Sequence, residues 1–152
     1  PTIDLGGVQA TVMVGELGGE RSGATTYTPL VGLALHGTGD GPASITLDPG
    51  FEHAIVALDG AFDVSGETVV PGELAYLGRG RDSLPISALA GAEALLLGGA
   101  PFGEEILMWW NFVARTADEV AEARRDWEAS SERFGTVASP LGRIPSPEHL
   151  PR

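Results

Sequence analysis

The sequence predicts an all-β fold, an antiparallel barrel or jelly roll, with one amphipathic helix near its C-terminus. Three observations lead there. Glycine supplies 22 of 152 residues, roughly twice its usual share, and it punctuates short apolar segments. Those segments alternate with a period of two, as half-buried strands do. A helical period replaces that alternation only after residue 115.

The elements follow in order. Val8, Ala10, Val12 and Val14 alternate with Gln9, Thr11 and Met13, which gives a first strand. Further strands are predicted at Thr26–Leu30, Leu33–His36, Ser44–Leu47, Ala54–Leu58, Ala61–Val64, Thr68–Val70, Leu74–Leu77, Leu84–Ala88 and Glu93–Leu97. Asp-Pro-Gly, Asp-Gly, Ser-Gly and Pro-Gly separators supply the fixed or positive φ that tight turns need. With no helix between strands, a βαβ architecture is excluded. Ile106–Val113 is the most aromatic stretch, and as an extended segment it must turn one of Trp109 and Trp110 outward. Thr116 with Glu119 three residues on forms a capping box, opening a helix of about 116–134 that Gly135 stops. Its stripe of Val120, Ala123, Trp127, Ser131 and Phe134 should lie on the outer surface of the sheet. Residues 136–152 hold four prolines and little apolar material, so they read as an extended tail following a domain of residues 1–135.

Composition narrows the function. The chain has no cysteine, which excludes disulfides, thiolate nucleophiles and zinc knuckles. A net charge of −12 argues against binding a phosphate backbone. No run approaches the roughly 20 apolar residues of a spanning helix, so neither nucleic acid nor membrane is an expected partner, and the cytoplasm is the expected address.

Asp48-Pro49-Gly50, Glu52-His53 and Leu58-Asp59-Gly60 resemble the first cupin motif, and Val70-Pro71-Gly72 leading to Ala75 resembles the second. The fold implied is the cupin double-stranded β-helix. Cupin metal chemistry needs two His on alternate strand residues, plus a Glu and a third His. Here the alternate partner of His53 is Ile55, and Ala75 stands at the third position. No metal site, catalytic residue or cofactor is therefore expected in this chain. Glu52 and His53 read as polar residues near the barrel mouth, with His53 satisfied by water or by Glu52. His36, at a strand end, reads as structural, and His149 lies in the tail. Glu104 and Glu105, as adjacent strand residues, face opposite sides and form no carboxylate pair. Trp109, Trp110 and Phe112 are candidates either for core packing or for an interface.

Ala100-Pro101-Phe102-Gly103-Glu104-Glu105-Ile106, the run Trp109 to Thr116, and a helix closing on Arg133-Phe134-Gly135 together resemble the C-terminal signature of pirin-like proteins. The family pattern is Pro-Leu-x-Glu-Pro-Ile, then Gly-Pro-Phe-Val-Met-Asn-Thr, then a helix ending Arg-Phe-Gly. This chain loses the Gly-Pro, reading Trp110-Asn111-Phe112 instead. The resemblance implies a bicupin parent whose Fe(II) site lies in an N-terminal barrel outside this chain, and Pro1 without a preceding Met fits a cut near the junction. It also implies an intramolecular partner, the N-terminal cupin domain; a half that packs on such a partner should expose an apolar face, and so tend to homodimerise when isolated. The leading expectation is a non-catalytic half that supports the metal-bearing barrel. The alternatives are a parent acting as a quercetin 2,3-dioxygenase, or a stand-alone metal-free cupin that binds a small ligand or a regulatory partner.

Overall fold

The computed structural model describes residues 1–148. His149 and the last three residues of the tail lie outside the described residues. Two compact units are present, Pro1–Pro101 and the stretch from Phe102 onward. The division falls inside the span 1–135, because the hairpin and helix that follow residue 101 have a core of their own.

The first unit holds strands β1 (Thr2–Asp4), β2 (Val8–Val14), β3 (Glu16–Leu17), β4 (Glu20–Arg21), β5 (Leu30–Gly37), β6 (Pro42–Thr46), β7 (Glu52–Asp59), β8 (Phe62–Val64), β9 (Glu67–Val69), β10 (Leu74–Gly78), β11 (Ser83–Ala88) and β12 (Glu93–Gly99). They form a six-stranded sheet in the order β1-β2-β5-β12-β7-β10 and a four-stranded sheet in the order β6-β11-β8-β9, with β3 and β4 as a separate small hairpin. Every pairing is antiparallel. The inward residues of both sheets share one aliphatic core, from Val8, Ala10 and Val12 through Leu33, Ile45 and Ile55 to Phe62, Ile86 and Leu96. Period-two alternation buries this set; a one-residue slip of any strand would turn it to solvent.

One predicted strand, Thr26–Leu30, is absent. Tyr27, Thr28 and Pro29 form bends, and the strand begins only at Leu30. Pro29 offers no N–H to a ladder. Tyr27 is almost wholly exposed, so no burial rewards pairing there.

The second unit opens with a hairpin of β13 (Leu107–Trp109) and β14 (Phe112–Ala114), in register Trp109↔Phe112. The extended reading of Ile106–Val113 is thus replaced by a tight turn through Trp110 and Asn111, with Trp110 at φ 53. Trp110 stands where the family pattern has Gly and adopts a backbone that glycine favours. Glu104 and Glu105 precede the hairpin and are not in a strand.

Helix α1 spans Ala117–Glu128, shorter than the predicted 116–134. Its start is as expected, since the Thr116 side chain accepts from the Glu119 N–H and the Glu119 carboxylate accepts from the Arg115 N–H at 2.7 Å. It ends early in a Schellman motif: Ser130 N–H donates to Trp127 O and Ser131 N–H to Asp126 O, with Ser130 at φ 54. A short 3-10 turn, Glu132–Phe134, carries the chain to Gly135. The stripe packs against the β13–β14 hairpin: Phe112, Val120 and Ala123 are buried, with Trp109, Trp110, Trp127 and Phe134 around them. The rings meet edge to face, Trp110 on Trp127 at 5.5 Å and Trp127 on Phe134 at 5.3 Å.

Among the described residues of the tail, 136–148, there is no regular secondary structure, but the segment is tied to α1. Trp127 Nε1 donates to Ile144 O at 2.9 Å, and the Ser146 N–H and hydroxyl both donate to Glu128 Oε1, at 2.8 and 2.6 Å. Arg143 stacks over the Trp127 ring. Polar contacts hold this segment, while its apolar side chains Val137, Leu141 and Ile144 stay exposed.

Candidate functional site

Two places in the first unit set polar chemistry against apolar surface. One is the barrel interior at His53, and the other is the outer face of the six-stranded sheet. Strand β7 serves both, because its residues alternate between them.

His53 shares its parity with Ile55 and Ala57, so it points inward and is only 2% exposed. Glu52, one residue earlier, is exposed on the other face. The sheet separates the two, so Glu52 does not satisfy the imidazole; neither Nδ1 nor Nε2 has a hydrogen-bond partner. The expected barrel-mouth pair is therefore split. Gly98 and Gly78 are the cross-strand partners of His53, and a Cβ on Gly98 would lie 2.5 Å from ring Cδ2. Burial pushes the imidazole below its ordinary pKa of 6.5, with the Asp48 carboxylate pulling the opposite way. The ring lines a cavity of about 720 Å³ together with Leu33, Leu47, Asp48, Phe51 and Leu96.

A redox metal does not fit these donors. Ile55 is buried in the core and Ala75 lies directly opposite it on β10, so neither position of the motif offers a ligand. Among the described residues, no group of three or more His, Cys, Asp or Glu side chains could hold a metal ion. His36 is exposed and meets Glu93 of the neighbouring strand at 2.9 Å.

The outer face carries exposed apolar surface, at residues that sequence reasoning did not name. Two direct cross-strand rows run over β10, β7, β12 and β5: Leu74, Val56, Leu95 and Ala34, then Tyr76, Ala54, Leu97 and Gly32. Leu74 is 59% exposed, Tyr76 65% and Leu97 43%. Glu52 borders the rows at one end, with His36 and Glu93 at the other. The signal was present in the unbroken apolar runs Ala54–Leu58 and Ala94–Leu97, which mark strands covered on both faces.

In the second unit Trp109, Trp110 and Phe112 form the aromatic core around α1, with Phe112 buried. A surface depression beside them holds Arg115 and Arg133, whose charges meet Glu119 at 3.6 Å and Asp126 at 3.0 Å.

A family model, the Pirin C-terminal cupin domain, matches residues 33–135. The chain belongs to the pirin family. The chain is 45% identical over 131 residues to a Pseudomonas aeruginosa protein provisionally named a quercetin 2,3-dioxygenase, covering 86% of this chain and 42% of that protein. A pirin-like protein of Caulobacter vibrioides is 29% identical over 130 residues, covering 85% of this chain and 44% of its own length. Among solved structures, a quercetin 2,3-dioxygenase from Acinetobacter baumannii superposes with a TM-score of 0.87 at 38% identity, over 99% of this chain and 50% of that one. The chain thus spans half or less of the length of these pirin-family relatives. Among the described residues, no helix is long and apolar enough to cross a membrane.

Proposed function

We propose that this chain is the non-catalytic cupin barrel of a pirin-family protein, packing through the outer face of its six-stranded sheet on a second, metal-bearing barrel. The observation that carries the reading is the pair of apolar rows across β10, β7, β12 and β5, rimmed by Glu52, His36 and Glu93. At about 4.8 Å per strand the rows extend about 14 Å, and contiguous apolar surface with a polar rim is the mark of a protein interface. The length of the relatives supplies the occupant: each is at least twice as long as its match to this chain. The lone imidazole inside the barrel supports a non-catalytic role, since one donor makes no divalent metal site.

Left without that partner, the face should find a second copy of itself. Sedimentation velocity over a concentration series is expected to show self-association, and the double variant Tyr76→Glu/Leu97→Glu is expected to be monomeric with its fold intact. Iron retained after incubation with excess Fe(II) and desalting should stay well below one equivalent. A strict monomer at every concentration, or one tightly held iron, overturns the reading. The names of the relatives favour a second proposal for the parent, iron-dependent opening of a flavonol ring, which is tested by turnover of quercetin by the full-length protein.

A further inference from the structure

His53 is used by neither the aliphatic core nor the outer face. Its two ring nitrogens are buried with no hydrogen-bond partner in the protein, an arrangement that calls for a physical explanation. The barrel nonetheless makes room for it. Glycine occupies the cross-strand position on β12 beside the ring, and at Gly98 even a methyl group would strike it. An apolar side chain at residue 53 would fill the same space with no unsatisfied atom.

We propose that the cavity beside His53 binds a small neutral molecule with an apolar body and a hydroxyl group, and that the imidazole hydrogen-bonds the hydroxyl. The size is suitable, since about 720 Å³ lies within the range of small-molecule pockets. The walls are suitable as well: Leu17, Leu33, Leu47, Leu96 and Phe51 line it, and Phe51 lies 6.1 Å from the imidazole, ring centroid to centroid. A neutral imidazole carries one donor and one acceptor, and a hydroxyl can answer either. Charge disfavours an anion. Asp48 and Glu16 both line the cavity, and the one arginine there, Arg21, is held by Glu16 at 2.9 Å. Both ring nitrogens are sealed from solvent as the ring stands, so binding requires a turn about Cβ–Cγ that brings one of them to the cavity.

The test uses the ¹⁵N-labelled chain and three probes of one shape: benzyl alcohol, toluene and benzoate. Benzyl alcohol is expected to give a saturable shift of the His53 ring nitrogens in long-range ¹H–¹⁵N spectra. Toluene should bind roughly five-fold more weakly, the worth of one hydrogen bond, and benzoate more weakly still. In His53→Phe, checked for its fold by amide dispersion, the preference for benzyl alcohol over toluene should vanish. No saturable response of His53 to benzyl alcohol overturns the proposal. Equal affinity for benzyl alcohol and toluene in the unmodified chain, or a preference that survives His53→Phe, overturns the role of the imidazole.

Discussion

The barrel and the C-terminal unit solve the problem of a core with different materials. The barrel's core is aliphatic, with Phe62 its one fully buried phenyl ring, and it is assembled from strands far apart in sequence. The C-terminal unit draws on one hairpin and one helix that are neighbours in sequence, and it fills its core with five aromatic rings. A short segment has few side chains to bury, so each must cover much area, which aromatic rings do best. A closed set of strands has many positions to bury, and there fit and register count for more than size.

Perturbations should therefore act differently in the two places. The largest effect is expected from Phe62→Ala, which empties a site that paired strands on several sides cannot collapse into. We expect a loss of about 3–5 kcal/mol, measured by urea denaturation with hydrogen exchange read at barrel amides. A loss below about 1 kcal/mol would show a core far more plastic than this register implies. In the C-terminal unit the sharper test has the opposite sign. Ser130 closes the Schellman motif at φ 54, so Ser130→Gly should stabilise α1 by roughly 0.5–1 kcal/mol. Slower exchange of the Val120 and Ala123 amides is the expected readout; faster exchange would mean that the serine contributes something beyond its backbone.

The smallest effect concerns the tail. The Ser146 hydroxyl and N–H, with the charges of Arg143 and Arg124, hold the Glu128 carboxyl below its ordinary pKa of 4.5, against a lesser opposing effect of burial. A folded-state value below the unfolded one means that the docking contribution is whole above 4.5 and is lost as pH falls through the depressed value. The Trp127 Nε1–H resonance, which reports the bond to Ile144, should stay constant above pH 4.5 and shift only below it. In Glu128→Gln that acid shift should disappear. A wild-type shift already complete well above pH 4.5 would assign the docking to other groups.

Much of the barrel was legible because its signals are local. Pro-Gly and Asp-Gly turns bracket β7, a Pro-Gly turn opens β10, and Val8–Val14 shows its buried face by alternation alone. Where the reading failed, the deciding contact came from another strand. The burial of His53 follows from its parity with Ile55 once β7 is extended to Glu52, but the space for its ring comes from Gly98 on the distant strand β12, and only the pairing reveals that. The β13–β14 hairpin was hidden for a different reason. Its turn places Trp110 where a glycine would announce it, and a tryptophan at positive φ persists because Trp127 and Phe112 pack on its ring. Helix α1 was anchored at its start by a recognisable cap, whereas its end rests on a serine in a conformation usually left to glycine or asparagine.

The segregation of aromatic rings has an optical consequence. All three tryptophans, Trp109, Trp110 and Trp127, lie in the C-terminal unit, and both tyrosines, Tyr27 and Tyr76, lie in the barrel. Indole emission, excited at the red edge where tyrosine does not absorb, therefore arises from the C-terminal unit alone. With indole rings 5.5 and 6.5 Å apart and steeply inclined, their transitions should couple and give a near-ultraviolet circular dichroism couplet. The chain carries, without any label, an optical reporter confined to one of its two units.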